Sequence, residues 1–150
     1  MSRAKQHAAT LGGSIDDVEA QFYEAMQAGD VDKLMACWAD EDDILCIHPG
    51  GPRLMGAGAI RAAYESMLSQ AGSMTLQPER LRKIESLTSV IHSVVERISI
   101  LTPQGPQDVF VIATNVYHKT TQGWRMVVHH ASPGAVQEMG DTSDTPKVLH

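Results

Sequence analysis

The chain changes its hydrophobic period once, and this change constrains its fold more than any other feature. Up to about residue 71 the apolar residues recur at helical spacing, whereas from Thr75 onward they follow strand-like patterns rich in β-branched residues. Helices first and a run of strands afterwards predict an α+β domain. In such a domain we expect the helices to pack on one face of a curved antiparallel sheet, an arrangement that can enclose a cone.

The first two helices are predicted to form a helical hairpin. Ser14 is a typical N-cap for the first helix, which Gly29 ends. Asp30 can cap the second, whose buried stripe runs from Val31 to Trp38.

A third helix and a short strand are predicted next to each other. A strand at 44–47 ends in the turn at 48–52, since proline cannot extend a ladder. The helix opens at Gly56 and Gly58 and is stopped by Gly72. Its apolar stripe consists of Ile60, Tyr64, Met67, Leu68 and Ala71.

Four longer strands are predicted at about 75–84, 89–101, 109–119 and 124–131. Pro78 interrupts the first of them, and hairpin-length turns separate the others. With no internal repeat, we expect one domain over 14–133, a flexible N-terminal lead over 1–13 and a flexible C-terminal tail over 134–150.

Composition excludes several classes of partner. The 150 residues carry a net charge of −6 without a run of basic residues, which argues against nucleic acid and membrane as partners. Cys37 and Cys46 match no metal or redox spacing, so we expect reduced thiols. We expect a cytoplasmic location because no secretory signal is visible. We expect no metal because the adjacent His129 and His130 face opposite sides of a strand and no acidic residue lies at ligand spacing. We expect no cofactor because neither a phosphate loop nor a dinucleotide-binding fingerprint is present.

Four segments in order carry a family resemblance. They are 22–30 (FYEAMQAGD), 38–40 (WAD), 48–51 (HPGG, with Gly56 opening the next helix) and 123–133 (GWRMVVHHASP). Over about residues 14–133 the chain resembles the nuclear transport factor 2-like superfamily, which includes ketosteroid isomerase and the SnoaL-like cyclases. The resemblance implies a cystatin-like cone with a pocket between helices and sheet, and a homodimer formed through the sheet.

The groups that ketosteroid isomerase uses do not match. By the family's spacing its general-base aspartate corresponds to His48, its oxyanion tyrosine to Phe22 and its neutral aspartic acid to about Thr114. Because phenylalanine cannot donate a hydrogen bond and threonine is a much weaker acid, this chain is not expected to be a true ketosteroid isomerase.

Three residues are the candidate catalytic groups. His48 occupies the position of the base and could move a proton at neutral pH, although a histidine in a strand-ending turn is also explained by a backbone hydrogen bond. Strand alternation places His130 on the same face as Trp124, which we expect to be the inner face; the alternative is a core histidine satisfied by Asn115 or Ser132. Tyr23 and Tyr64 both carry a hydroxyl that could serve as a donor, and Tyr64 is preferred because it lies on the buried helical stripe.

The pocket wall is predicted from the apolar stripes and the matched positions. Its expected residues are Phe22, Trp38, Met67, Thr114 and Val128. Asn115 could orient a ligand or join two strands, and the second use is preferred. Arg125 and Val127 are expected on the outer face of the sheet.

Two hypotheses for the function remain open. In the first, the chain binds a small, mostly apolar organic molecule and catalyses proton transfer on it, as in isomerisation, dehydration or cyclisation. In the second, it is a non-catalytic ligand-binding module or a dimeric assembly module that uses the outer face of its sheet.

Overall fold

The structure is a computed structural model that describes residues 13–70 and 74–135. These residues form the following elements in chain order: α1 (Ile15–Ala28), α2 (Val31–Met35), β1 (Leu45–Ile47), β2 (Arg53–Met55), α3 (Ala57–Ser69), β3 (Met74–Glu85), β4 (Ser89–Thr102), β5 (Gly105–Thr120) and β6 (Gly123–Pro133). The predicted α+β class with three helices and a curved sheet is confirmed.

The helical hairpin begins and ends at the predicted caps. The Ser14 side chain accepts from the Asp17 amide at 3.0 Å, and the Asp30 side chain accepts from the Lys33 amide at 3.0 Å. Gly29 ends α1 in the left-handed conformation, with φ 73°.

The second helix is shorter than predicted. It ends at Met35, and Trp38 instead forms an isolated bridge with Met126 of β6. Backbone bonds from Met126 to Cys37 and from Ala39 to Met126, at 2.8 and 2.9 Å, fix this segment beside the sheet. Pairing with β6 therefore replaced the helical turn that the stripe predicted.

The third helix spans Ala57–Ser69 with Gln70 as its C-cap. The predicted stop at Gly72, and Ala71 of the predicted stripe, lie outside the described residues. The same holds for nearly all of the predicted lead and tail, of which the structure describes only Gly13 and residues 134–135.

The described strands form one sheet in the order β2-β1-β6-β5-β4-β3. Its pairs are antiparallel as predicted, except for β1 with β6, which is parallel. Pro78 lies on the edge strand β3, where a missing donor is tolerated, and the register shifts between Glu79 and Arg82.

A β-bulge in β6 decides which side chains face the helices. Val116 pairs with Val128 and Tyr117 pairs with Met126, so Val127 is an extra residue. An extra residue reverses the inward and outward alternation that follows it. The bulge lies where β6 changes neighbours, from the segment at 37–39 to β1.

The core lies between the helices and the inner face of the sheet. Fully buried side chains include Phe22, Ile60 and Tyr64 from the helices and Tyr117 and Met126 from the strands. In the described ranges, no helix is both long and apolar enough to cross a membrane.

Candidate functional site

A cavity of about 260 Å³ opens between the helices and the inner face of the sheet. Every element except α2 and β2 contributes to it or flanks it. It is lined by Met26, His48, Pro49, Met67, Met74, Leu76, Glu96, Ile98, Ile100, Val111, His129 and Ala131. The described part of the wall is therefore apolar except for one carboxyl group and two imidazoles.

A wider cleft of about 810 Å³ lies between α1 and β3. It is more open, and the polar side chains of its rim, such as Glu24 and Gln77, are exposed. We place the candidate site in the smaller cavity because buried polar groups converge on an apolar, enclosed space there.

Glu96 is the buried carboxyl group of the cavity. The side chain extends inward from β4 and is only 3% exposed. The Tyr23 hydroxyl donates to its Oε2 at 2.7 Å. Burial, aided by the charge of Glu19 and opposed by the Tyr23 hydrogen bond, raises the pKa of Glu96 to about 7. This carboxyl group can gain or release a proton near neutral pH.

His129 is the buried imidazole of the cavity, and its tautomer follows from its neighbour. Its Nδ1 lies 2.6 Å from Asn115 Oδ1, while the Asn115 amide nitrogen donates to Glu19 at 3.2 Å. Because an amide oxygen can only accept, Nδ1 carries the proton and Nε2 keeps its lone pair. Burial, with the nearby His48 and His130, lowers the pKa of His129 to about 3, so the ring is neutral.

Glu19 anchors these groups from behind the cavity wall. It projects from α1 and is 7% exposed. Its Oε2 accepts from His92 Nδ1 at 2.9 Å, from the Asn115 amide and from the Tyr117 hydroxyl. Three donors satisfy this oxygen, which is how a buried carboxylate is retained.

His48 lies at the cavity wall where β1 ends. Its ring packs edge-on against Tyr64, with centroids 4.9 Å apart, and its centroid is 6.3 Å from that of His129. Partial burial lowers the pKa of His48, which favours the neutral ring. The Cys46 thiol lies 3.7 Å both from His48 Nε2 and from the Tyr64 hydroxyl.

Of the residues predicted for the site from sequence, two line the cavity: His48 and Met67. Phe22, Trp38 and Tyr64 are buried core residues outside its lining. Phe22 packs against His129, with ring centroids 5.2 Å apart, and so lies directly behind the wall.

The expectation that His130 points inward is wrong. His130 is exposed on the outer face and His129 is buried, because the extra residue Val127 reverses the alternation that starts at Trp124. For the same reason Val128, predicted in the pocket, is a half-buried residue of the outer face.

Three further expectations are corrected by the burial pattern of β5 and β6. Thr114, predicted in the pocket, is exposed on the outer face, since its neighbour Asn115 points inward to Glu19. Arg125 and Val127, predicted on the outer face, are both buried.

Sequence reasoning missed Glu96 and Glu19, preferred Tyr64 to Tyr23 as a donor, and placed His130 inside instead of His129. A signal for Glu96, Glu19 and Tyr23 was present. Period-2 alternation along β4 puts Glu96 on the face of the buried Val94. Glu19 and Tyr23 are four residues apart on the apolar stripe of α1. These three are polar residues inside an otherwise apolar pattern, which is the signal that could have identified them. The inward position of His129 could not be predicted without knowing that β6 contains a bulge.

Both cysteines are free buried thiols. Burial raises the pKa of Cys37 to about 12 and that of Cys46 to about 11, which keeps both protonated and unreactive. Within the part of the chain that the structure describes, no three His, Cys, Asp or Glu side chains converge as metal ligands would.

Comparison with known proteins agrees with this architecture. The family model of the SnoaL-like domain matches residues 15–136. A solved protein of Thiobacillus denitrificans, described as a candidate calcium/calmodulin-dependent protein kinase type II association domain, is 38% identical. It aligns over 83% of this chain and 98% of its own, with a TM-score of 0.77.

Two further structures show the same fold. A candidate dehydratase of the nuclear transport factor 2-like family from Streptomyces avermitilis is 27% identical, over 78% of this chain and 91% of its own, with a TM-score of 0.70. A nuclear transport factor 2-like protein of Salmonella enterica is 16% identical, over 89% of this chain and 94% of its own, with a TM-score of 0.71. No protein of curated function matches the sequence significantly. Because the family model spans most of the chain and the fold agrees, the protein belongs to the SnoaL-like domain family of the nuclear transport factor 2-like superfamily.

Proposed function

We propose that the cavity binds a small, mostly apolar organic molecule and that its polar groups transfer a proton on that molecule. Isomerisation, dehydration and cyclisation all have this elementary step. One observation carries the proposal: a carboxyl group with a pKa of about 7 and a neutral imidazole line an otherwise apolar cavity. A general acid or base works best when its pKa is near the working pH.

The proposed roles follow the positions of the side chains. Glu96 is the proton acceptor or donor, and His48, the group proposed from sequence, faces the same space. His129 accepts a hydrogen bond through Nε2. Tyr64 supports His48 from behind the wall. His130 has no part, because it lies on the other face of the sheet. The dehydratase description of the Streptomyces relative belongs to the same class of chemistry.

The test is a thermal-shift screen of small lipophilic compounds, since a ligand that binds only the folded state raises its apparent stability. Ala131 is 3% exposed in the cavity wall, so Ala131→Leu fills the space that a ligand needs. We expect hits for the wild-type protein and their loss in Ala131→Leu. Ala62→Leu adds the same volume on the exposed side of α3 and is the control.

Turnover of a compound found in that screen tests the chemistry. Glu96→Gln keeps the shape and removes the titrating group, so we expect kcat to fall by about 100-fold or more. His48→Ala should also lower it. Hits that bind Ala131→Leu as well as the wild type contradict the binding site, and full activity of Glu96→Gln contradicts the proton transfer.

A second candidate function is a dimeric assembly module. The register places Ile91, Val116, Val128 and Leu45 side by side in one row across the outer face, and these apolar residues are half-buried. An apolar sheet face that no described element covers favours a partner, here a second copy of the chain. The association-domain description of the Thiobacillus relative supports this candidate.

A further inference from the structure

One buried carboxylate orients the polar groups at the inner end of the cavity. Glu19 Oε2 receives hydrogen bonds from His92, Asn115 and Tyr117. Because three donors are directed at this oxygen, it acts as the acceptor of all three hydrogen bonds. The Asn115 amide must therefore present its nitrogen to Glu19.

This orientation fixes two branches of hydrogen bonds. In the first branch the Asn115 oxygen faces His129, so Nδ1 donates at 2.6 Å and Nε2 is left with its lone pair. In the second branch the Asn115 nitrogen donates to the Tyr23 hydroxyl oxygen at 3.0 Å. The Tyr23 proton then goes to Glu96 Oε2 at 2.7 Å, which leaves Glu96 Oε1 without a bond among the described residues.

The cavity thus presents acceptors at its inner end and little else that is polar. Among the described residues that line it, only His48, Glu96 and His129 have polar side chains, and none of these lining residues is a lysine, arginine, serine, threonine, asparagine or glutamine. The side chains around them are aliphatic or methionine. A ligand that fills this space meets lone pairs from Glu96 and His129 and apolar surface elsewhere.

We propose that Glu19 is a positioning residue that makes the inner end of the cavity an acceptor pair, and that the site therefore selects ligands with a hydroxyl or amino donor on an apolar body. The ligand class rests on the proposed binding function, whereas the role of Glu19 stands on the hydrogen bonds alone. A buried acceptor that loses its donor carries a desolvation penalty, so a ligand without a donor should bind roughly tenfold to a hundredfold more weakly. Anionic ligands are disfavoured because no described residue of the lining is a lysine or arginine that could pair with them.

The first measurement reads the tautomer of His129 without any ligand. Long-range proton–nitrogen correlation spectra distinguish a protonated from an unprotonated ring nitrogen. In the wild-type protein we expect the proton on Nδ1. In Glu19→Gln the new amide can donate as well as accept, so Asn115 can reverse and the Nε2-protonated form should become populated.

Tyr117→Phe is the matched control. It removes another donor to Glu19, but Tyr117 is in neither branch that leads to the cavity, so the Nδ1 proton should stay. A wild-type spectrum with the proton on Nε2 overturns the inference, as does an unchanged tautomer in folded Glu19→Gln.

The second measurement compares two probes with the same apolar body by calorimetry. 2-Phenylethanol carries a donor, and its methyl ether has none. At pH 8, above the pKa of about 7 of Glu96, both lone pairs are available and the alcohol should bind at least tenfold more tightly. In Glu19→Gln this preference should shrink.

The outcomes separate the two claims. Equal binding of alcohol and ether to the wild-type protein overturns the selection for donors and leaves the binding function standing. If neither probe nor any compound of the lipophilic screen binds, the proposed binding function and the ligand class both fall, while the spectra still decide the role of Glu19.

Discussion

Burial has opposite consequences for the two titratable side chains that meet in the cavity. It raises the pKa of the Glu96 carboxyl group to about 7 and lowers that of the His129 imidazole to about 3. In both cases the apolar surroundings disfavour the charged form. Each pKa shift makes the free energy of unfolding depend on pH: the shift of Glu96 favours the folded state at low pH, and the shift of His129 favours it at higher pH.

The contribution of Glu96 to the pH dependence of stability can be measured as the difference in the free energy of unfolding between Glu96→Gln and the wild type. The pKa of its carboxyl group rises from an ordinary value of 4.5 to about 7 on folding, so the folded state holds the proton more tightly. Its stability contribution is therefore present at low pH and lost as the pH rises from 4.5 to 7, in total on the order of 3 kcal/mol. Relative to wild type, Glu96→Gln should gain about that much between pH 4.5 and pH 8, measured by denaturant unfolding.

The comparison with the wild type is needed because His129 adds a pH dependence of the opposite sign in both proteins. Its lowered pKa gives stability that is lost as the pH falls from 6.5 towards 3. Glu24→Gln, at an exposed carboxylate of α1, is the control: its free energy of unfolding should differ from that of the wild type by the same amount at every pH. If the difference for Glu96→Gln is also independent of pH, the pKa of the Glu96 carboxyl group is not shifted.

At the scale of the elements, the helix caps and one β-bulge determine which side chains line the cavity. Gly29 turns the chain after α1, and α2 then leads to the segment that pairs with β6. The bulge at Val127 brings His129 inside, beside Asn115 of β5. Local geometry at single residues thus decides which groups reach the cavity.

Two glycine substitutions distinguish the effect of backbone conformation from the effect of the room available for a side chain. Neither Gly29 nor Gly58 has an atom within 4 Å of an added Cβ, but only Gly29 has a positive φ, 73°. Gly29→Ala should therefore destabilise the protein by about 1 kcal/mol. Gly58→Ala, inside α3, should stabilise it by roughly 0.5 kcal/mol. Equal effects in thermal or denaturant unfolding would contradict the role of the left-handed cap.

At the scale of the whole molecule, the sheet separates two surfaces. The inner face carries the cavity, and the outer face carries the apolar row that includes Val116 and Val128. The row beside it runs Ser93, Thr114, His130 and Ile47, so Thr114 lies exposed in the middle of this face.

The proposed homodimer is tested at Thr114. An arginine there would bury an unpaired charge in an apolar interface, so Thr114→Arg should weaken dimerisation at least tenfold. Analytical ultracentrifugation at micromolar concentration should show a dimer for the wild type and a monomer for Thr114→Arg. Gln122→Arg, in the exposed β5–β6 turn, should remain a dimer. A monomeric wild-type protein would contradict the assembly.

The sequence by itself determined the class of fold, the capped helices and the long hairpins, because periodicity, caps and turns are local signals. The place of His48 at the cavity followed from the family resemblance. Tertiary structure decided the rest. The parallel pairing of β1 with β6 joins segments about 80 residues apart, and the bulge beside it exchanges His130 for His129 inside the cavity. The pairing of Glu96 with Tyr23 depends on α1 crossing β4, and no local pattern records which buried polar groups will meet.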